Sequence, residues 1–505
     1  MDQASLLKVL YCQSSFNRTA PLRAVVETLF DGSCLEERLI SLVLSSIATA
    51  SDSVTQTAVL EKWRDLLTLI LVSRAKGCLQ IHKAQLLKCM RGLQGITIWQ
   101  EHQLLTLHQT LAAFLLDRPT KDYSLLQLPN GACPLEVDGY SQHGAIPHPI
   151  FHAELGTLLC IYGDLTEQPH YLEAASRLAE WQRNTLDHNY HPFVGLLSKE
   201  GEASESQLLV GDFLLFNAIV RTSQCSEMAF LAEKQLEQLD NLANSESIDI
   251  PSLSIVLERY FAEKKLPDVS GEYYLASILK DELFAFAGSR SAESSAAATL
   301  FGGKSGMGCY HYKDIKVINF GPQNTPLGDC RGFGLEGSVQ VLSELKTEIA
   351  TATGEFVVKG TARMCPKIPE AISSEVPSHG GWMTARQEFK NGSLSIETLF
   401  QDLFDKKELL FSFFVKCKNC VVNGDRIVRP RSLNRYSGKS ATVQLQSGES
   451  SLFLQAGQAH DEMHVIPLGG GSNFWGADFL IAYGLNTNKC VFSLSSFFDT
   501  RYDSL

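Results

Sequence analysis

Residues 163–182 read GDLTEQPHYLEAASRLAEWQ and follow directly on HAELGTLLCIY at residues 152–162. In the second segment Tyr171, Ala174, Ala175, Leu178 and Trp181 recur at helical spacing, while Glu173, Arg177 and Glu180 fall on the opposite side. That is the pattern of a helix with one face to bury. In the first segment Leu155, Leu158, Leu159 and Tyr162 repeat the spacing. Gly163 suits a left-handed helix stop and Pro169 the first turn of the next helix, so the two segments predict a helical hairpin.

The pattern continues on both sides. Helix-period segments are predicted near residues 4–11, 21–29, 35–49, 55–75, 81–93 and 97–116, with breaks at Pro21, Asp31-Gly32 and Gly77. After the hairpin come SQLLVGDFLLFNAIV, EMAFLAEKQLEQLDNLA, PSLSIVLERYFAEK and EYYLASILKDELFAFAG, all read as helical. No fixed repeat period is visible, so hairpins of uneven length favour a closed ring of helices over a solenoid. The Gly- and Pro-rich stretch from Tyr123 to Pro149 is long for a connection inside a helical domain and is a candidate functional loop.

Beyond the small-residue stretch AGSRSAESSAAATLFGGKSG the period changes to two. DIKVINFGP, EFVVKGTAR, WMTARQEFK, LLFSFFVKC, ATVQLQ, SLFLQAG, FLIAYGL and CVFSLSSF are short strand signals separated by Gly, Asn and Ser. The predicted fold class is therefore α+β multidomain: an all-α, (α/α) toroid-like domain over 1–290, a flexible linker over 291–306 and an antiparallel β-sandwich over 307–505.

The phrase LGTLLCIYGDLTEQPHYLEAASRLAEWQ resembles the helical hairpins of (α/α) toroid carbohydrate-active proteins. A toroid followed by antiparallel sheets is similar to heparinase II/III-like polysaccharide lyases. That resemblance implies β-elimination on a uronic-acid polysaccharide, with His or Asn, Tyr and Arg side chains in a cleft between the two domains. The His-x-His-x-Asp strand motif that some of these lyases carry is absent from the sequence.

Removing the proton beside a carboxylate needs a base, an acid for the leaving oxygen, and cations or hydrogen bonds for the developing charge. Three clusters offer such groups. The first is Tyr140-Ser141-Gln142-His143, with His148 and His152 beyond it. The second is His188-Asn189-Tyr190-His191, which reads equally as a surface turn. The third is Tyr310-His311-Tyr312-Lys313, where alternation puts the tyrosines on one face and His311 on the other. Asn324, Asp329 and Arg331 follow in a glycine-containing stretch. Asp212, in the apolar run LLVGDFLLFNAIV, needs a partner, a proton or a wet cavity. Tyr140, His143, His191 and Asp212 are the catalytic candidates, and His148, Tyr310, Tyr312 and Arg331 the substrate-binding ones. Two other function classes stay open. One is an interaction protein that keeps the scaffold without an active site. The other is an inverting glycoside hydrolase, which needs two carboxyl groups roughly 6.5–9.5 Å apart.

Composition bounds the rest. The chain has 505 residues and a formal net charge of −12, which disfavours nucleic acid and anionic membranes as partners. One basic stretch, RIVRPRSLNR at Arg426–Arg435, is a candidate for an anionic ligand or a charged sheet edge. The 13 cysteines lack the spacing of a disulfide framework and read as thiols. The beginning of the sequence carries no secretory signal and no stretch reaches the roughly 18–20 apolar residues of a membrane span, so a cytoplasmic location is expected. Secretion without a cleaved signal would leave no such trace. No cofactor and no metal are expected: GGKSG at 302–306 has Ala298 where a phosphate loop needs its first glycine, and Cys417 and Cys420 form a lone CxxC pair.

Overall fold

The computed structural model describes residues 11, 20–48, 56–96, 103–120, 122–133, 149–193, 205–243, 250–262, 273–281, 286–300, 306–324, 341–365, 382–401, 409–468, 473–484 and 487–498. The predicted helix at 4–11 and the candidates Tyr140, His143, His148 and Arg331 lie outside them or at their margin. The chain divides into two compact units, one formed by Met1–Val137, Pro147–Arg183 and Ser206–Tyr273, the other by Asp138–Ile146, Asn184–Glu205 and Tyr274–Leu505.

The first unit is helical: α1 (Ala20–Asp31), α2 (Glu37–Ala48), α3 (Gln56–Ala75), α4 (Leu79–Gln94), α5 (Gln103–Leu115), α6 (Pro149–Thr166), α7 (Pro169–Arg183), α8 (Glu205–Ser223, whose first residue Glu205 belongs to the second unit), α9 (Ser226–Ala243) and α10 (Ser252–Ala262). α6 packs on α5 and α7, and α3 packs on α4, α5 and α10. The faces read from the sequence are the buried ones: Leu155, Leu158, Leu159 and Tyr162 on α6, and Tyr171, Ala174, Ala175, Leu178 and Trp181 on α7. A bidentate contact of Arg64 with Glu154, joined by His108 at 2.9 Å, ties α3 and α5 to α6. Among the described residues no helix is long and apolar enough to cross a membrane.

Gly163 is not the helix stop its sequence suggests. α6 continues to Thr166, and Glu167 takes the left-handed conformation at φ 57°. A side chain at Gly163 would meet Tyr171 and Leu172 at 3.1 Å, so the glycine lets α7 come close to α6 instead. Pro169 does open α7.

Among the described residues the second unit carries one antiparallel sheet of sixteen strands: β1 (Ile278–Asp281), β2 (Phe286–Arg290), β3 (Ser294–Thr299), β4 (Gly308–Tyr312), β5 (Ile315–Asn324), β6 (Val341–Ala352), β7 (Glu355–Cys365), β8 (Trp382–Lys390), β9 (Ser393–Gln401), β10 (Leu409–Lys416), β11 (Asn419–Val422), β12 (Arg426–Val428), β13 (Tyr436–Ser447), β14 (Ser450–Pro467), β15 (Phe479–Gly484) and β16 (Lys489–Ser495). The main path runs β1-β2-β3-β4-β5-β10-β15-β14-β16-β9-β8-β7-β6, with β11, β12 and β13 branching off β14. One buried cluster draws on strands from both ends of that path, and Ser289 Oγ on β2 donates to Gly354 O before β7 at 2.9 Å, so the sheet folds over on itself. In its middle Phe492 sits 4.7 Å from Phe411, 5.2 Å from Phe413 and 5.1 Å from Tyr483, ring to ring.

Two segments differ from their sequence reading. EYYLASILKDELFAFAG, expected as a helix, supplies β1 and β2, which pair from Ile278↔Ser289 to Asp281↔Phe286. Its helix-period pattern yields to the ladder bonds that a neighbouring strand offers. The stretch 291–306, expected as a flexible linker, contains β3, all of it buried. Its Ala296, Ala297 and Ala298 are fully buried, side chains small enough for a strand covered on both faces.

Candidate functional site

A polar cluster forms where the short segment after Asn184 lies on the sheet. Leu186 and Pro192 make an antiparallel bridge, Asp187 N donates to His191 O at 2.7 Å, and Tyr190 takes φ 64°, which closes a tight loop over 187–191. Asp187 accepts from the backbone N–H groups of Asn189 at 2.8 Å and His191 at 2.9 Å through one carboxylate oxygen, an Asx-type turn. Its other oxygen accepts from His311 Nδ1 at 2.7 Å.

The sheet beneath presents a single polar rank. Arg290 on β2 stands opposite Ser295 on β3, Ser295 opposite His311 on β4, His311 opposite Lys316 on β5, and Lys316 opposite Lys416 on β10. Directly opposed residues share a face of the sheet, so these five side chains project the same way. Each holds the segment above. Arg290 donates to the carbonyls of Leu186 at 2.6 Å, Asn184 at 3.0 Å and Ala276 at 2.7 Å. Ser295 Oγ accepts from His188 N at 2.8 Å and meets His188 Nδ1 at 2.9 Å. Glu205 closes the cluster: Lys316 Nζ lies 2.7 Å from its Oε1, Lys416 Nζ 3.4 Å from its Oε2, and His191 Nδ1 2.9 Å from its Oε1.

Burial alone would raise both carboxyl groups, but the charges around them prevail. The His311 hydrogen bond and the positive groups nearby hold Asp187 far below the ordinary carboxylate range. Lys316, His191 and Lys416 do the same for Glu205. Burial lowers His188 and His311 from the ordinary histidine value, with Asp187 pulling both the other way. The cluster therefore holds two ionised carboxylates, two lysines and, in His188 and His311, two imidazoles whose burial favours the neutral form.

His191 is the sequence candidate that belongs to this cluster; its side chain is 18% exposed. Tyr310 lies on the opposite, core face of β4, its hydroxyl donating to Gly392 O at 2.6 Å. Tyr312 shares that face and is half-buried, with Lys313 Nζ 5.3 Å from its ring centre. Asp212 is in the helical unit, within a buried line of hydrogen bonds. Cys133 N donates to His152 Nε2 at 3.2 Å, His152 Nδ1 meets Gln182 Oε1 at 2.7 Å, and Gln182 Nε2 donates to Asp212 Oδ1 at 2.7 Å. Burial pushes Asp212 up to about 7, against the Gln182 hydrogen bond, and His152 down to about 3. Sequence reasoning passed over Asp187, Glu205, Arg290, Lys316 and Lys416. Among the described residues no three His, Cys, Asp or Glu side chains gather as metal ligands, and Cys417 and Cys420 are buried thiols 3.9 Å apart.

No protein-family model matches the chain, and no curated protein matches it. Among solved structures it is similar to xanthan lyase from Paenibacillus, with 10% sequence identity and a TM-score of 0.54 over 100% of this chain and 55% of that one. Heparan sulfate lyase from Pedobacter heparinus matches at 10% identity and TM-score 0.45, over 97% of this chain and 76% of that one. Chondroitin AC lyase from Streptomyces coelicolor A3, solved in complex with chondroitin sulphate, matches at 9% identity and TM-score 0.43, over 97% and 74%. The chain resembles polysaccharide lyases in fold, helices first and an antiparallel sheet after them, and spans about half the length of the xanthan lyase chain.

Proposed function

We propose that the helices form an (α/α) toroid and the strands a β-sandwich, and that the protein binds and cleaves an acidic oligo- or polysaccharide by β-elimination. The likeness of the whole chain to a xanthan lyase supports this reading. Within the described residues, His191 is the group best equipped as the base. It stands on a loop fixed by Asp187, with Glu205 orienting its imidazole, as a general base requires. Lys316 and Lys416 place positive charge beside it, where a uronate carboxylate and its developing enolate charge would need it. In the same reading Tyr140 and His143 are further catalytic groups, and His148 and Arg331 bind the substrate. Asp212 and Tyr310, buried and hydrogen-bonded, have holding parts in this reading, and Tyr312 stays at the margin of the sheet core.

The test is incubation with a panel of uronate polysaccharides, following the ultraviolet absorbance of the unsaturated uronate product. Elimination that falls by about 10²-fold or more in His191→Ala supports the assignment. Elimination untouched by that substitution removes His191 from the reaction, and no product from any uronate polymer ends the elimination reading. The near-complete enclosure of Asp187 and His311 favours a second reading, binding without cleavage, in which the cluster serves only to hold its loop. Saturable binding without product would establish it.

A further inference from the structure

The segment from β12 to the start of β13 carries four arginines in ten residues, Arg426, Arg429, Arg431 and Arg435, and no lysine among them. All four are exposed. Arg426 lies over the Tyr436 ring at 5.0 Å and reaches Arg435 O at 3.4 Å, which gathers both ends of the loop. Among the described residues no carboxylate pairs with any of the four guanidinium groups. Other surface cations of the sheet are paired: Lys359 with Glu348 at 2.6 Å, Arg386 with Glu388 at 2.6 Å, Lys489 with Glu397 at 2.5 Å. Unpaired cations at one place, on a chain whose net charge is −12, mark a local site for anions.

Among the described residues β12 pairs only with β11, which makes it an edge there, and charge at an edge can serve to block strand pairing. Lysine is the usual residue for that task. Four guanidinium groups instead suit planar, two-pronged bonds to carboxylate or sulfate oxygens. Ile427 is 55% exposed and Leu433 fully so, which gives the apolar faces of sugar rings a surface beside the charges.

We propose that the Arg426–Arg435 segment, β12 and the connection to β13, is a docking site for an acidic polysaccharide chain, separate from the His191 cluster. The choice of a glycan rests on the carbohydrate reading above, and binding is tested apart from cleavage. The full chain is titrated with dextran sulfate, which has no uronate to eliminate, with polygalacturonate, which has carboxylates only, and with neutral dextran. Binding to either polyanion, weakening with salt and absent for neutral dextran, is expected. The combined variant Arg429→Ser, Arg431→Ser and Arg435→Ser is expected to bind on the order of tenfold or more weakly, the sum of three exposed ion pairs. The corresponding triple lysine variant should fall between the two. The control Lys359→Ser with Lys489→Ser should bind as the parent does. Undiminished binding by the serine variant, equal binding by the lysine variant, or no polyanion binding by the parent overturns the proposal. So does a serine variant that aggregates while its soluble fraction binds normally, which would make the arginines an edge guard. Binding to anionic vesicles but to neither polyanion would give the segment to a membrane and also overturn it. Each of these results is independent of whether any uronate polymer is cleaved.

Discussion

At the scale of single residues, Asp187 holds more of the candidate site in place than His191 does. Its carboxylate fixes the loop through two backbone N–H groups and fixes the loop to the sheet through His311. Asp187→Asn removes the charge from a buried, charge-assisted network and is expected to cost about 3 kcal/mol, read by urea denaturation at pH 7. The pH dependence has a definite sign. Because the folded carboxyl lies below its unfolded value, its contribution is complete above pH ~4 and is lost as pH falls further toward the folded value. The stability gap between parent and variant should therefore narrow below pH ~4; a gap that stays constant down to pH 2 would deny Asp187 its charged role. The sequence showed the imidazoles of residues 188–191 but not this carboxylate as their organiser, since its partner His311 lies 124 positions away. Nor could it show that Ser295, His311, Lys316 and Lys416 form one row. That row exists only through the registers of four strands, and the last of them stands about a hundred residues along the chain from its neighbour.

At the scale of elements, the α6–α7 hairpin was legible because an amphipathic period needs no knowledge of its partner. The β3 stretch was not, because Ala and Ser carry no pattern and only the space around them tells a buried strand from a loose linker. Three helices share one polar line, His152 on α6, Gln182 on α7 and Asp212 on α8. Its ends titrate with opposite effect. With Asp212 pushed up to about 7, the folded state holds a proton that the unfolded chain lacks between pH ~4 and 7, so stability falls as pH rises through that window. With His152 lowered to about 3, the unfolded chain takes a proton that the folded state refuses between pH ~6.5 and 3, so stability rises with pH there. The two slopes offset each other from pH ~4 to 6.5. Asp212→Asn keeps the acceptor for Gln182 and removes one slope, so the variant should gain stability with pH over that range and exceed the parent by a few kcal/mol (about 3) at pH 8. Denaturation curves at pH 4.5, 6 and 8 check this; a variant whose offset from the parent is the same at all three would show that Asp212 is ionised throughout.

At the scale of the whole molecule, the order of the sheet matters more than its size. β1–β5 form one run of neighbouring strands and β9–β8–β7–β6 another, and they are joined through β10, β15, β14 and β16. Phe492 on β16 touches the rings of Phe411, Phe413 and Tyr483 at that junction. Phe492→Ala is expected to cost about 4 kcal/mol and to split the unfolding of the sheet unit into two calorimetric transitions. One sharp transition at an unchanged temperature would contradict it. The same strand order governs synthesis. When the ribosome has finished β9, it has delivered two separate ribbons whose joining strands do not yet exist, and the strand that links β14 to β9 is the sixteenth of the sixteen. β10, the next strand made, covers the β5 edge at once, whereas the β9 edge stays unpaired until β16 is complete, an interval in which it is a template for pairing with other chains.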